Sequence, residues 1–240
     1  DAHYFGAIFD DRETGDGTAL ERAAQLGATL SISSDPRRRV VFSSYTRVDN
    51  VPDGYRFEAS GQVTFRLLPQ LELDVLPTVA LSAGEPRYVF QETVDRLLGT
   101  TSYVFGRQRA RSLGATLRAS YTFTPELSLQ TYAQLFLAAV HYSDFSRAAP
   151  AGFRGRIHLA DLTPTTTTRN PDLQSATLNI NVVLRWEYRL GSTLFLVYTR
   201  AQNPPVSLTT GSDPRLDPQP LARPGSSVDV VLLKLAYWWG

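Results

Sequence analysis

The residues of this chain that could do chemistry are charged side chains that recur at every second position of several segments. In residues 55–68 and 175–190 the side chains alternate between apolar and polar. On a β-strand such charges share one face. They could line a pore and select the ions that pass, or pair with each other and fill the interior of a narrow barrel. The candidate lining residues are Arg56, Glu58, Arg66, Glu72, Asp74, Arg118, Arg185, Glu187 and Arg189.

Three histidines, His3, His141 and His158, are candidate catalytic bases. Asp144 follows His141 by three positions, but residues of opposite parity on a strand point to opposite faces. This weak signal makes a hydrolase at the rim of a barrel the second alternative, and no catalytic residue is assigned. Asp161 lies near His158 without further metal ligands, and cysteine is absent. We therefore expect no enzyme, no metal and no cofactor.

The elements that position these charges are long strands. From Ala176 to Leu190 the even positions are apolar, and the odd positions are polar apart from Val183. This period of two predicts a strand with one apolar and one polar face, longer than the roughly 5–6 residues of an ordinary soluble strand. Such a strand suits the wall of a barrel that has lipid outside and a polar lumen inside.

Composition sets outer limits on the class of protein. The chain has 240 residues, 42% of them hydrophobic, and a net charge of +1, so no strong field favours nucleic acid as a partner. No run of about 18 apolar residues provides a transmembrane helix, but a spanning strand needs only about 9–11 residues. The chain begins at Asp1 without a signal peptide, so we expect a processed or truncated product.

Turns and loops divide the chain into about ten strands within one domain, residues 1–240. Pro69-Gln70, residues 124–126 and residues 189–192 predict short turns, and Pro77 predicts a bulge or a locally unpaired position. Residues 10–23 are loop-like, and two long loops are predicted at residues 147–171 and 203–225. Short turns at one end and long loops at the other are typical of an outer-membrane barrel, whose long loops are extracellular.

Aromatic residues cluster near the predicted strand ends on the apolar face. This is where an interfacial girdle lies in membrane barrels. The closing strand, residues 228–239, is amphipathic and ends in an aromatic residue, the pattern by which bacterial barrel-assembly machinery recognises its clients. The candidate girdle residues are Tyr55, Phe57, Tyr121, Phe123, Trp186, Tyr188, Tyr237 and Trp239.

Three segments carry a family resemblance: RSLGATLRASYTFTPELSLQTYAQLF (residues 111–136), SATLNINVVLRWEYRLGSTLFLVYTRAQ (residues 175–202) and VVLLKLAYWW (residues 230–239). Over residues 88–239 the chain resembles the C-terminal barrel region of an uncharacterised bacterial outer-membrane family. Longer members of that family carry a carbohydrate-binding-like β-sandwich of the family-9 type ahead of the barrel. We expect this chain to lack that sandwich and its strands to form the whole barrel or the C-terminal part of a larger one. The family has no established activity to transfer.

The sequence therefore predicts an all-β, transmembrane, antiparallel up-and-down β-barrel in the outer membrane of a Gram-negative bacterium. We expect a porin-like passive pore or a structural component of a cell-envelope assembly. The first alternative is a surface-binding barrel whose extracellular loops engage a glycan or a protein partner. The expected partners are the lipid bilayer, the barrel-assembly machinery through the C-terminal strand, and other envelope proteins or a glycan, without nucleic acid.

Overall fold

The structure is a computed structural model that describes residues 1–95, 100–149, 155–208, 213–223, 225 and 227–239. It is all-β. The strands are β1 (Ala2–Phe5), β2 (Ile8–Asp10), β3 (Ala19–Arg22), β4 (Gln25–Ser33), β5 (Val40–Val51), β6 (Gly54–Leu68), β7 (Leu71–Asp95), β8 (Thr100–Thr124), β9 (Leu127–Ala148), β10 (Arg156–Ile157), β11 (Thr163–Pro164), β12 (Leu173–Arg189), β13 (Ser192–Gln202) and β14 (Ser227–Ala236). Two 3₁₀ turns cover Leu159–Asp161 and Gln219–Ala222. In the described ranges no helix is long and apolar enough to cross a membrane.

One large sheet dominates the fold. Its strands follow the order β1-β4-β5-β6-β7-β8-β9-β12-β13-β14, with β11 added beside β9. Every neighbouring pair in it is antiparallel. The prediction of an antiparallel all-β fold is confirmed, and the path from β1 to β14 contains ten strands, as the sequence indicated.

The register separates the two faces of this sheet. Directly paired residues of neighbouring strands point to the same side. Leu178 of β12 pairs with Leu135 of β9, which pairs with Ala115 of β8. Continuing across the sheet, the apolar positions of each strand fall on one side, here called the apolar face, and the polar positions on the other, the polar face. The period of two in the sequence therefore becomes a single two-sided layer.

The two ends of the sheet also differ. Pro69-Gln70, Pro125-Glu126 and Leu190-Gly191 connect strands at one end, here called the turn end. The connections 149–172 and 203–226 lie at the opposite end, the loop end. The predicted asymmetry is thus present, although the 149–172 connection contains β10, β11 and a 3₁₀ turn.

Pro77 does not break β7. The strand continues through it, and Pro77 pairs with Ala115 of β8. Toward β6 the pairing lapses between Thr78 and Val75 and resumes in the same register. Proline has no N–H to donate, so one ladder is interrupted locally while the other persists. The predicted bulge was wrong, and the predicted local loss of pairing was right.

A second, smaller sheet lies at the loop end. It joins β2 and β3 antiparallel and β3 and β10 parallel. Residues 10–23 therefore contain a strand where the sequence indicated only a loop. Side chains from β3, β10 and the loop-end halves of β8 and β9 form the buried cluster Leu20, Tyr103, Phe105, Ala148 and Ile157.

The large sheet is open in the structure. Among the described residues no pairing joins β14 to β1 or β4. β14 is shorter than predicted and ends at Ala236, so the final aromatic residues follow the strand. Both β4 and β14 run from the loop end to the turn end, whereas β1 runs the opposite way.

Candidate functional site

The predicted lining charges share the polar face, with one exception. Register places Arg56, Glu58, Arg66, Glu72, Asp74, Arg118, Arg185 and Glu187 there. Arg189 follows a register shift and pairs with Ser192 beside the hairpin turn. Its guanidinium donates to the hydroxyl of Tyr237 at 2.6 Å, so Arg189 belongs to the turn end. The role of these nine charged residues as the lining of a pore remains a prediction.

Many polar-face charges are already paired. Arg66 Nε lies 2.9 Å from Glu72 Oε2, and Arg185 donates to Glu187 at 3.1 Å. The guanidinium of Arg118 lies 5.8 Å from the ring centroid of Tyr132. Hollows of about 270 Å³ beside Arg118 and about 140 Å³ beside Arg56 remain between these groups. The polar face thus combines internal charge pairing with small spaces that water can enter.

The apolar face exposes large aliphatic side chains. Leu30 of β4 is 59% exposed, Leu117 of β8 is 43% exposed and Leu233 of β14 is 66% exposed. At the loop end this face turns polar. Arg111 donates to the carbonyl of Pro214 at 2.9 Å, and Gln202 donates to that of Leu221 at 2.7 Å. The 203–226 connection therefore contacts the loop-end part of this face.

The predicted girdle aromatics lie at strand ends. At the turn end they form edge-to-face pairs: Tyr121 with Phe123, Trp186 with Tyr188, and Tyr237 with Trp239, with ring centroids 4.7, 6.1 and 5.0 Å apart. Tyr55 and Phe57 lie at the opposite end, at the start of β6. Whether these rings meet a membrane interface stays a prediction.

A cavity of about 630 Å³ opens at the loop end. Six separate parts of the chain line it: residues 21–23 at the end of β3, residues 51–53 at the turn between β5 and β6, residues 84–86 on β7, Arg107 on β8, residues 144–146 on β9, and residues from 159 to 165. Its volume falls within the roughly 300–1,000 Å³ that is typical of ligand sites.

The backbone around this cavity is unusually constrained. Asp53 and Asp144 both line it, and they have positive φ angles of 58° and 46°. Gly84 has φ 97°, and a Cβ there would lie 2.3 Å from the carbonyl oxygen of Asp53. Register shifts interrupt β7, β8 and β9 at this level. Non-glycine residues with positive φ cost energy, and both they and bulges concentrate at functional sites.

An ion-pair network supports the inner wall of the cavity. Arg22, a buried residue, lies against Glu13 and donates to the carbonyl of Pro86 at 2.9 Å. Glu85 lies 3.0 Å from a guanidinium nitrogen of Arg56 and 3.1 Å from one of Arg87. These contacts join the N-terminal segment to β7, so the wall is held by paired charges.

The segment between β2 and β3 is tied to β8 through Asp16. Its carboxylate accepts hydrogen bonds from the hydroxyl of Tyr103 and, at 2.9 Å, from the N–H of Thr18. Burial disfavours the charged form, but the hydrogen bonds from Tyr103, Thr18 and Thr14 outweigh it and lower the pKa of Asp16 to about 2. The carboxylate therefore stays charged and bound to Tyr103 over most of the pH range.

His141 and His3 each lie against an aspartate in the structure. His141 Nδ1 lies 2.7 Å from Asp172 Oδ2, and His141 lies on the apolar face. Asp144 instead lines the cavity, so the structure does not bring His141 and Asp144 together as a catalytic pair. His3 Nε2 lies 2.6 Å from Asp49 Oδ1. The described residues contain no cluster of three or more metal-type ligands, and the expectation of no metal stays a prediction.

Sequence reasoning missed the cavity residues. Asp53, Arg107 and Asp144 come from three distant segments, and only the fold brings them together. One signal was available. The strict alternation of β7 ends near Gly84-Glu85-Pro86, where a glycine and a proline flank a charge. Such a break in a long strand indicates a bulge, and bulges often re-aim side chains at sites.

Fold and site together define an all-β protein built on a long, two-faced antiparallel sheet with a ligand-sized cavity at one end. A family described as a domain of unknown function (DUF5916) matches residues 4–209, and the chain belongs to this family. The match confirms an uncharacterised family and begins much closer to the N-terminus than the motifs suggested. The carbohydrate-binding-like domain that we expect in longer members of the family stays a prediction. Comparisons with curated proteins and with solved structures give no match.

Proposed function

We propose that this chain is the wall of a bacterial outer-membrane β-barrel, with hydrocarbon against the apolar face and the polar face inside. The observation that carries this proposal is an apolar face whose leucines stay exposed, such as Leu117 and Leu233. Soluble proteins rarely expose continuous apolar patches larger than a few hundred Å². Lipid is a cover that needs no second protein layer.

The height of the apolar band supports the same role. On β8 the apolar-face positions change from Arg109 and Arg111 to an uncharged row that runs from Leu113 to Phe123. On β12 the equivalent row runs from Ala176 to Trp186. Both rows approximate the roughly 9–11 residues with which a tilted strand crosses the hydrocarbon core.

Closure of the sheet is part of the proposal. β4 and β14 run in the same direction, so they cannot form an antiparallel pair with each other. β1 runs opposite to both and lies at the edge of the sheet. The barrel therefore closes along the outer edge of β1. Closure also pairs the backbone N–H and C=O groups at the two open edges of the sheet, which lipid cannot satisfy.

Introduced cysteines test this seam, because the chain has no native cysteine. Ala2→Cys is combined in turn with Val231→Cys, Leu233→Cys or Leu235→Cys, all on the apolar face. A disulfide needs Cα atoms about 4.4–6.8 Å apart. We expect one combination to give an intramolecular cross-link in detergent micelles. Cross-links that form only between two chains would place the seam elsewhere.

The role of the barrel is passive transport or structural support in the envelope. Folded protein reconstituted in a planar bilayer distinguishes the two, because an open polar interior conducts ions and a filled one does not. Arg66, Glu72 and Arg118 would line the path. If conductance is present, Arg118→Glu should change its cation-to-anion preference, whereas Arg215→Glu on the loop-end connection should not. A chain that stays monodisperse in buffer without detergent would contradict the membrane role itself.

The C-terminal strand is the proposed contact with the barrel-assembly machinery. β14 presents Val231, Leu233 and Leu235 on one face, and Trp239 follows it. Truncation after Ala236 would remove the aromatic end while leaving the strand intact. We expect the truncated chain to be lost from the outer-membrane fraction of cells but to fold in detergent as the full chain does. Normal membrane insertion of the truncated chain would remove this contact from the proposal.

A further inference from the structure

We propose that the loop-end cavity binds a neutral, hydroxyl-rich ligand, that is, the end of an oligosaccharide. The cavity lies beyond the apolar band, because Arg107, Asp53 and Asp144 all come from the loop-end parts of their strands and turns. The proposed site is therefore separate from the membrane role. Its residues keep the same arrangement whatever covers the apolar face.

The backbone geometry indicates a built site. Asp53 and Asp144 adopt positive φ angles, which side chains other than glycine adopt at a cost of order 1–3 kcal/mol. They lie on different connections, and both point to the same cavity. The packing of Gly84 against the backbone of Asp53 fixes the turn between β5 and β6. Asp53 adopts this angle in the two-residue turn between β5 and β6, whereas Asp144 adopts it within a register shift of β9, where no tight turn requires it, so Asp144 is the stronger indication of a binding role.

Charge pairing selects against an ionic ligand. Arg107 donates to Asp53 at 3.1 Å and to the carbonyl of Gly84 at 3.2 Å. Glu85 and Arg22 are held in the ion-pair network of the inner wall. Glu21 accepts a hydrogen bond from the N–H of Leu159 at 3.0 Å. These groups are held by protein partners, so they offer fixed hydrogen-bond donors and acceptors to a ligand.

The remaining groups suit a sugar ring. The exposed carboxylate of Asp144 can accept from two neighbouring hydroxyl groups, and the N–H groups of Arg107 that do not bond Asp53 or Gly84 can donate to ligand oxygens. Phe145, Pro52 and Leu162 form an apolar wall for the C–H face of a ring. Small-molecule sites typically combine such a wall with a few placed polar groups.

The test is calorimetry on the full chain folded in detergent, with maltotriose, cellotriose and triacetylchitotriose as neutral probes and tri-lysine and inorganic phosphate as charged ones. We expect saturable binding of at least one neutral trisaccharide and none of the charged probes. Binding of tri-lysine alone would mean that Asp144 recognises cations. Absence of binding to every neutral probe would overturn the proposal, as would binding of charged probes only.

Two variants locate any binding that is found. Asp144→Asn retains a side chain that tolerates positive φ but removes the charge that strengthens its hydrogen bonds, and Arg107→Gln removes the guanidinium fork. Each should weaken binding about tenfold, or ~1.4 kcal/mol. Asp213→Asn, an exposed loop-end residue that pairs with Arg109 outside the cavity, is the matched control. Equal affinity in all three variants would place the sugar elsewhere and overturn the proposal, and the conductance and seam experiments would be unaffected.

Discussion

The two ends of the long strands differ in how far the protein itself covers their apolar side chains. At the loop end, β8 and β9 pack against the small sheet, and Phe105, Leu20 and Ile157 are at most 1% exposed. Toward the turn end, the same strands form a single layer whose apolar face holds exposed leucines such as Leu117. One region carries its own core, and the other leaves its apolar face exposed among the described residues.

This difference explains the length of the strands. β7 and β8 each have 25 residues, more than a spanning strand needs. The extra length lies beyond the apolar band, where it supports the buried cluster and the cavity. In the proposed arrangement, the strands form a membrane wall over one part and a rigid scaffold for the proposed ligand site over the other. Binding sites are commonly built this way, on loops held by a stable sheet.

The largest expected effect follows from removing a side chain of the loop-end core. Phe105→Ala deletes a ring that is 0% exposed, and such truncations cost about 3–5 kcal/mol. We expect the loss to appear as rapid proteolysis of the loop-end region in the folded, detergent-bound protein. The matched control is Phe123→Ala at the turn end, which is 51% exposed and should leave proteolysis of the loop-end region unchanged. Equal protection of both variants would mean that the cluster is not a core.

Placing a charge on the apolar face tests the other region. Leu117→Arg and Leu178→Arg should each cost about 2–4 kcal/mol if these positions lie near the bilayer midplane. The measurement is the free energy of unfolding in lipid vesicles by denaturant titration. The controls, Thr116→Arg and Asn179→Arg, place the same charge one position away on the polar face. Equal costs on both faces would remove the distinction between a lipid side and a water side.

The sequence predicted the large sheet because one physical rule governs it. Alternation of apolar and polar residues specifies both a strand and its facing, and the tight turns fix which strands are neighbours. Residues 175–202 lie in β12 and β13, which are joined at the expected turn, with Leu178 and Leu184 on one face. Closure could not be predicted in the same way, because it depends on pairing between the two ends of the chain.

The cavity could not be predicted because its residues obey no local period. Glu85, Arg107 and Asp144 lie near register shifts, where the parity that assigns a face is lost. The β3 strand was missed for a related reason. Ala19–Arg22 is too short for periodicity to identify, and it is stabilised by pairing with β2 and β10. Tertiary contacts, not local sequence pattern, determine both features.

A smaller effect is expected from the pH dependence of the Asp16 hydrogen bonds at the loop end. The pKa of Asp16 is lowered in the folded protein to about 2, so the stabilisation that it provides is present above its ordinary pKa of about 4 and is lost as the pH falls toward 2. The backbone N–H of Thr18, which donates to Asp16, should report this by NMR with a midpoint near pH 2. Asp16→Asn should abolish the titration. A midpoint near pH 4 would mean that the Tyr103 tether does not hold.

The smallest effect is expected for a charge pair at the turn end. Arg66 and Glu72 lie 2.9 Å apart, but their side chains are 48% and 50% exposed. Water screens such a pair, and ordering two long side chains opposes it, so its coupling energy should be about 0.2–1 kcal/mol. A double-mutant cycle with Arg66→Gln and Glu72→Gln measures that energy in vesicles.

The buried Arg22, which contacts Glu13, offers the contrast at the loop end. There Arg22→Gln should cost several times more, because it leaves a carboxylate with less compensation in a less hydrated place. Similar costs at both positions would mean that the two ends of the sheet are equally hydrated, and the comparison between a cored region and a single-layer region would then fail.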